Sequence, residues 1–90
     1  MTALSRELRI ENQRGLHARA SAKFVSLASQ LDAVIEVEKD GSRVCGTSIM
    51  GLMMLGAAKG DSITLHVEGD YAEQALEKLV ELVESRFGED

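Results

Sequence analysis

A histidine stands where a strand-like segment gives way to a helix-like one, in the run Gly15-Leu16-His17-Ala18-Arg19. The first backbone N–H groups of a helix have no intrahelical partner, and the aligned peptide dipoles add a partial positive charge at that end. A histidine there should resist protonation, because its charge would add to the positive charge of the helix end, and it should keep a free ring nitrogen at neutral pH. That nitrogen is a nucleophile.

Such a nitrogen could accept a phosphoryl group. The new oxygens would then lie against the backbone amides of Ala18 and Arg19, with the Arg19 guanidinium within reach. The alternative is that His17 merely caps a helix and that Arg19 is a solvated surface charge. Spacing alone leaves both interpretations open.

Composition limits the classes of function. Ninety residues predict a single domain, 1–90. A net charge of −5 with one tyrosine and two phenylalanines argues against a nucleic-acid binder, so proteins are the expected partners. One cysteine and two histidines do not supply a metal framework, and no cofactor is predicted. Because there is no apolar run for a bilayer and no signal-peptide core, no membrane association is expected and the cytoplasm is the expected compartment.

Hydrophobic periodicity predicts the first half of the fold. Alternation of period two indicates a strand over 5–12, and an apolar stripe of helical period indicates a helix over 18–31. Two further strands, 34–38 and 43–46, flank Asp40-Gly41, which is a strong signal for a tight hairpin.

The second half of the chain shows the same two kinds of periodicity. A short helix over 49–55 is followed by a strand over 63–68 and a last helix over 72–87, with Asp70 and Glu73 resembling a capping box and 88–90 expected to fray. The order βαββαβα predicts an α+β fold in which one antiparallel or mixed sheet carries the helices on one face.

The short helix is more apolar than a surface helix requires. Leu52 and Leu55 can face the core together, which turns Ile49, Met50 and Met53 to another side. Exposed methionines suit a surface that meets several partners, whereas the alternative is ordinary core; the two interpretations weigh equally.

Ser48 precedes this helix and is its natural N-cap. It would also be a plausible phosphorylation site, although the cap alone is the favoured role. His66 lies in mid-strand with no constellation around it in sequence, and no function is assigned to it.

Taken together, these stretches resemble the HPr family, the histidine-phosphorylated phosphocarriers of the phosphoenolpyruvate-dependent phosphotransferase system. The resemblance covers nearly the whole chain and is carried by Asn12-Gln13-Arg14-Gly15-Leu16-His17-Ala18-Arg19, Gly46-Thr47-Ser48-Ile49-Met50-Gly51-Leu52-Met53 and Ala57-Ala58-Lys59-Gly60-Asp61. It implies an open-faced β-sandwich, a four-stranded antiparallel sheet with three helices on one face.

The resemblance also implies roles. His17 would accept the phosphoryl group from phospho-enzyme I, as a phosphohistidine on the pros ring nitrogen, and pass it to a histidine of an enzyme IIA-type protein. Arg19 would help to neutralise the group, and Ile49, Met50 and Met53 would help to form the docking surface. Ser48 would correspond to the serine that a dedicated kinase phosphorylates in many members. The chain would be a stoichiometric carrier rather than an enzyme, and a monomer suits transfer between partners.

The sequence departs from the family pattern at one position of the histidine motif. The family usually has proline directly after the arginine, and here that residue is Ala20, which should leave the helix start less rigid. The run around His17 and the acidic end Arg86-Phe87-Gly88-Glu89-Asp90 look similar to carriers from alphaproteobacteria, where the system often serves nitrogen and carbon regulation.

Three other classes of function stay open beside the carrier. One is a regulatory protein that binds partners through phosphorylated Ser48 while the histidine is idle. A small phosphatase or phosphotransferase site built from His17, Arg19 and Ser48 would lack a carboxylate constellation or metal motif to activate water. A small-molecule-binding regulatory domain would need an apolar pocket, to which nothing in the sequence points.

Overall fold

Four period-two segments form the strands of one sheet in the computed structural model, which describes residues 2–89. The strands are β1 (Thr2–Arg9), β2 (Val34–Lys39), β3 (Ser42–Cys45) and β4 (Ser62–Gly69). Their order across the sheet is β1-β4-β2-β3, and each neighbouring pair is antiparallel. Of the antiparallel and mixed sheets that the sequence allowed, the antiparallel one is present.

Three helices cover one face of this sheet: α1 (Ala18–Ala28), α2 (Ile49–Met54) and α3 (Ala72–Glu84). A 3₁₀ turn, Arg86–Gly88, follows α3. Helix α3 packs against β1 and β4, while α1 packs against α2 and α3. The expected open-faced β-sandwich with the element order βαββαβα is therefore confirmed. Within residues 2–89, no helix is long and apolar enough to cross a membrane.

The core lies between the sheet and the helices because strand residues alternate across the sheet. One face of the strands contributes apolar side chains, and the opposite face keeps partly exposed polar residues such as Glu36, Thr64 and His66. The fully buried side chains of the core, each less than 2% exposed, include Ile10, Phe24, Val37, Leu52, Ile63, Leu65, Val67, Leu79, Val83 and Phe87.

The hairpin between β2 and β3 turns at the predicted dipeptide. Asp40 and Gly41 have φ values of 51° and 85°, the left-handed pair that a two-residue turn of this kind requires. Gly56, just after α2, has φ 66°, the left-handed conformation that commonly follows a helix.

In the first half of the chain, β1 and α1 differ most from their predicted bounds. Strand β1 spans Thr2–Arg9 rather than 5–12, because its pairing with β4 ends at Arg9. Ile10 still bonds to the loop before β4, through Ile10 N to Asp61 O at 2.8 Å and Gly60 N to Ile10 O at 2.8 Å. Helix α1 ends at Ala28 rather than at residue 31, because its last turn tightens to bonds such as Gln30 N to Leu27 O at 3.0 Å.

The end of the chain differs most from expectation. Helix α3 stops at Glu84 instead of continuing to residue 87, and Arg86 and Phe87 take left-handed φ values of 59° and 56°. The capping box predicted from Asp70 and Glu73 is absent, because Tyr71 is the N-cap residue of α3 and no side chain bonds to the cap. The prediction that Gly88 and Glu89 fray is wrong, since Glu89 is bonded to two side chains of the site described next. Asp90 lies outside the described residues.

Candidate functional site

A tight loop after β1 carries the chain to the start of α1. Gly15 N donates to Asn12 O at 3.2 Å, and Leu16 N donates to Ala57 O at 2.9 Å, which attaches the loop to the segment after α2. Gly15 has φ 62°, and a Cβ atom added there would lie 2.2 Å from Ala57 O. Glycine is therefore required at this position for both its conformation and its small size.

His17 is the N-cap residue of α1, as the sequence predicted. Its carbonyl accepts the first helical bond, from Ser21 N at 2.9 Å, while its imidazole makes no capping bond. The amides of Ala18 and Arg19 lie in the first turn, where helix geometry supplies no partner for them. The ring of His17 thus stays available for chemistry beside backbone donors.

The imidazole contacts a carboxylate from the far end of the chain. His17 Nε2 lies 2.6 Å from Glu89 Oε2, and the two side chains are 16% and 15% exposed. The other carboxylate oxygen, Oε1, accepts from Asn12 Nδ2 at 3.1 Å. Asn12 is fully buried, and its Nδ2 also donates to Gly15 O at 2.8 Å. These bonds form a continuous chain from the loop backbone through Asn12 and Glu89 to His17.

The 3₁₀ turn brings Glu89 to this position. Phe87 is fully buried, and the left-handed residues Arg86 and Phe87 reverse the chain after α3. Lys23 Nζ, on α1, donates to Phe87 O at 2.7 Å and holds the turn against the helix that carries His17. Sequence reasoning missed Glu89; the aromatic Phe87 beyond the acidic stretch of α3 was the signal that the end of the chain is anchored.

Hydrogen bonding determines the charge of the carboxylate and the tautomer of the ring. The bond from Asn12, and after it the bond from His17, lower the pKa of Glu89 below its ordinary value. Glu89 is then ionised at neutral pH and can only accept hydrogen bonds, so the hydrogen between the two groups belongs to His17 Nε2. In the neutral imidazole, Nδ1 therefore carries the lone pair.

A basic cleft of about 470 Å³ lies beside Glu89, the partner of His17. It is lined by Gln13, Arg14, Arg19, Lys23, Gly88 and Glu89. Arg19 is exposed, and within residues 2–89 its guanidinium forms no ion pair. The cleft can therefore receive an anion, with Arg19 free to bind it.

Ser48 and the residues after it form a surface on α2, which packs against α1, the helix that begins after His17. Ser48 Oγ accepts from Gly51 N at 2.9 Å, which confirms the predicted N-cap of α2. Leu52 is fully buried, whereas Ile49, Met50 and Met53 are 41%, 72% and 42% exposed. Met54, which sequence reasoning did not single out, is 81% exposed. We call these four exposed residues, Ile49, Met50, Met53 and Met54, the α2 patch.

His66 lies on the open face of the sheet, remote from these features in the fold. Its Nε2 is 2.7 Å from Glu38 Oε1, a partner that comes from the neighbouring strand and that sequence spacing does not reveal. In the part of the chain that the structure describes, no group of three or more His, Cys, Asp or Glu side chains could hold a metal ion.

A family model described as the PTS HPr component phosphorylation site matches residues 4–85 of the chain. The chain belongs to the HPr family. Family membership confirms the resemblance drawn from the three stretches quoted above, and this HPr family protein is a phosphocarrier of the phosphotransferase system.

Individual relatives agree over nearly the full length. The chain is 49% identical over 86 residues to the phosphocarrier protein HPr of Neisseria meningitidis, covering 96% of this chain and 97% of the relative. It is 40% identical over 89 residues to the phosphocarrier protein NPr of Shewanella violacea, covering 99% and 98%.

Solved HPr structures have the same fold. HPr-C-His from Thermoanaerobacter tengcongensis superimposes with a TM-score of 0.89 at 46% identity, covering 100% of this chain and 99% of that one. An HPr dimer from the same organism gives a TM-score of 0.77 at 49% identity, with coverage of 91% and 94%. The alphaproteobacterial origin and the monomeric state expected from the sequence stay predictions.

Proposed function

We propose that His17 is the phosphoryl acceptor of this HPr family protein and that Nδ1, the pros nitrogen, forms the bond to phosphorus. The observation that carries the proposal is the contact between His17 Nε2 and Glu89, which occupies one ring nitrogen with a hydrogen and leaves the other with its lone pair. A nitrogen nucleophile of this kind can take a phosphoryl group and release it again, as a carrier must.

The surroundings of His17 match the product electrostatically. The amides of Ala18 and Arg19 and the positive end of the α1 dipole favour the oxygens of a phosphoryl group. The Arg19 guanidinium, which is exposed in the basic cleft, supplies a charge-assisted donor. Ala20, where the family usually has proline, is fully buried in the first turn of α1 and leaves one more amide there than proline would.

We further propose that phospho-enzyme I is the donor and that histidines of enzyme IIA-type proteins are the acceptors. Both would dock on the α2 patch, which adjoins the site because α1 packs against α2 and Leu16 bonds to Ala57. An exposed methionine surface can repack against unlike partners. Phosphorylation of Ser48 by a serine kinase would regulate docking, since the residue lies at the edge of this patch. The enzyme IIA that accepts the group would determine whether the protein serves the sugar-transport branch or the nitrogen-regulatory branch of the phosphotransferase system.

The test uses phosphoenolpyruvate, purified enzyme I and three proteins: wild type, His17→Ala and His66→Ala. His66 is the matched control, because it is the second histidine of the chain and lies on the open face of the sheet. We expect one acid-labile phosphate on wild type and on His66→Ala, and none on His17→Ala. The phosphorylated protein is then presented to sugar-type and nitrogen-type enzyme IIA proteins, and loss of its phosphate identifies the branch. Equal labelling of all three proteins would refute His17 as the acceptor.

A further inference from the structure

Glu89 is bonded in a way that gives it control over the protonation of His17. Its two carboxylate oxygens have different partners: Oε1 accepts from Asn12 Nδ2 and Oε2 accepts from His17 Nε2. Asn12 cannot rotate freely to change this pattern, since its Nδ2 also donates to Gly15 O and the side chain is fully buried. The carboxylate is therefore presented to the imidazole in a fixed arrangement.

We propose that Glu89 is a positioning residue for phosphoryl transfer, which holds His17 as the Nε2–H tautomer and offsets the charge of the phosphorylated ring. The inference rests on the proposed function of His17 and adds a residue to it. Arg14, Arg19 and Lys23 are the other charged residues that line the neighbouring cleft, and all three are cationic, so Glu89 is the acidic residue of that lining.

The transfer step balances without an added proton acceptor. The lone pair of His17 Nδ1 forms the new bond to phosphorus as the bond from phosphorus to the donor imidazole breaks, and the donor ring keeps that electron pair. His17 keeps its hydrogen on Nε2, so the phosphorylated ring is an imidazolium. The Glu89 carboxylate, 2.6 Å from Nε2, lies where that positive charge develops. In the reverse step the same contact keeps the ring protonated and hence ready to leave.

Replacing the carboxylate by an amide should invert the tautomer rather than merely weaken the bond. Because Asn12 offers a hydrogen, the carbonyl oxygen of Glu89→Gln must face Asn12, which turns its NH₂ group toward His17 Nε2. Nε2 must then accept a hydrogen bond from that NH₂ group, so the ring hydrogen moves to Nδ1. Nδ1 thereby loses the lone pair that would attack phosphorus. The logic is the same as for a serine-protease triad in which asparagine replaces the aspartate behind the histidine. Glu89→Ala removes the contact without imposing the wrong tautomer.

The experiment compares wild type, Glu89→Gln, Glu89→Ala and the control Glu84→Gln, which makes the same charge change at an exposed residue of α3. Ring ¹⁵N–¹H correlation spectra of the unphosphorylated proteins report the His17 tautomer without enzyme I. Single-turnover phosphorylation by phospho-enzyme I then reports the rate. We expect Nε2–H in wild type and Glu84→Gln, Nδ1–H in Glu89→Gln, and a rate for Glu89→Gln slower by about tenfold to a hundredfold, the equivalent of one hydrogen bond to a charged group. Glu89→Ala should be faster than Glu89→Gln.

A purely structural role for Glu89 predicts the opposite order, with alanine the more damaging change. That order would overturn the inference, and so would an unchanged tautomer or an inverted tautomer with an unchanged rate. Should wild type itself fail to be phosphorylated, the proposed function fails and with it a role of Glu89 in transfer, while the spectra still report whether the bond exists. Amide spectra and thermal midpoints of the four proteins verify that each is folded.

Discussion

Nε2 of His17 lies 2.6 Å from Oε2 of Glu89, although 72 positions separate the two residues in the chain. The contact makes the C-terminal turn part of the histidine site, together with the buried Asn12 and the Lys23 bond to Phe87 O. Three segments of the chain therefore form the site: the loop after β1, the first turns of α1 and the segment after α3.

The pKa of Glu89 should reflect the hydrogen bonds that its carboxylate accepts. Asn12 and then His17 lower its pKa below the ordinary 4.5, so the stabilisation from this contact is fully present above pH 4.5 and is lost as the pH falls through the lower folded value. Carboxyl ¹³C shifts of Glu89 should titrate below 4.5, and Asn12→Ala should move the midpoint upward because it removes the largest cause. A midpoint at or above 4.5 in wild type would show that the carboxylate is not held as described.

The loop that presents His17 depends on Gly15. Gly15→Ala combines a left-handed φ with a contact of 2.2 Å to Ala57 O, and we expect it to lower the free energy of unfolding by about 3 kcal/mol or more. Gly56→Ala is the matched control, since it has φ 66° but no atom within 4 Å of the added Cβ, and strain alone should cost it about 1 to 2 kcal/mol. Urea unfolding measures both. Equal losses would mean that the close approach to Ala57 contributes nothing.

Ser48 should contribute to stability through its cap. Ser48→Ala removes the acceptor for Gly51 N and should cost about 1 kcal/mol, whereas Ser48→Asp keeps a good N-cap and should cost less. Ser26→Ala, an exposed serine within α1, serves as the control and should change stability by no more than about 0.5 kcal/mol. If Ser48→Ala and Ser26→Ala unfold at the same urea concentration, the capping bond has no energetic role.

The α2 patch should bind partners rather than support the fold. Met50→Glu introduces a charge at a residue that is 72% exposed, so we expect unchanged stability and about tenfold weaker binding of enzyme I, measured by calorimetry. Val34→Glu makes the same kind of change at a residue on β2 that is 64% exposed, and its binding should match wild type. Docking elsewhere would be indicated if Met50→Glu bound normally or if both variants lost affinity equally.

Local patterns were sufficient to predict the element order, the hairpin at Asp40-Gly41 and the position of His17 as N-cap, because each depends on residues close together in sequence. Helical periodicity left exposure and burial of Met50 equally weighted, and the structure shows it 72% exposed. The two predicted site elements also proved to be neighbours, since α1 packs against α2.

Contacts across long sequence separations were not predictable. Nothing in the local sequence pairs Glu89 with His17 or Glu38 with His66, and the segment 88–90 had the polar composition of a fraying end. Phe87 reverses that expectation, because burying one aromatic side chain outweighs the cost of left-handed backbone at Arg86 and Phe87. The exposure of Met54 was not predicted, because a helix of six residues is too short for its apolar spacing to show which face the last residue occupies.

Phosphorylation of His17 on Nδ1 can be tested directly, because the ring nitrogen that is bonded to phosphorus can be observed. The protein is labelled with ¹⁵N-histidine, phosphorylated with phosphoenolpyruvate and enzyme I, and its ring nitrogens are correlated with ³¹P by NMR. We predict one coupled nitrogen, Nδ1 of His17, with Nε2 still bearing hydrogen and His66 unchanged. A coupling to Nε2 of His17, to a nitrogen of His66, or to neither histidine while phosphate is bound would contradict the account.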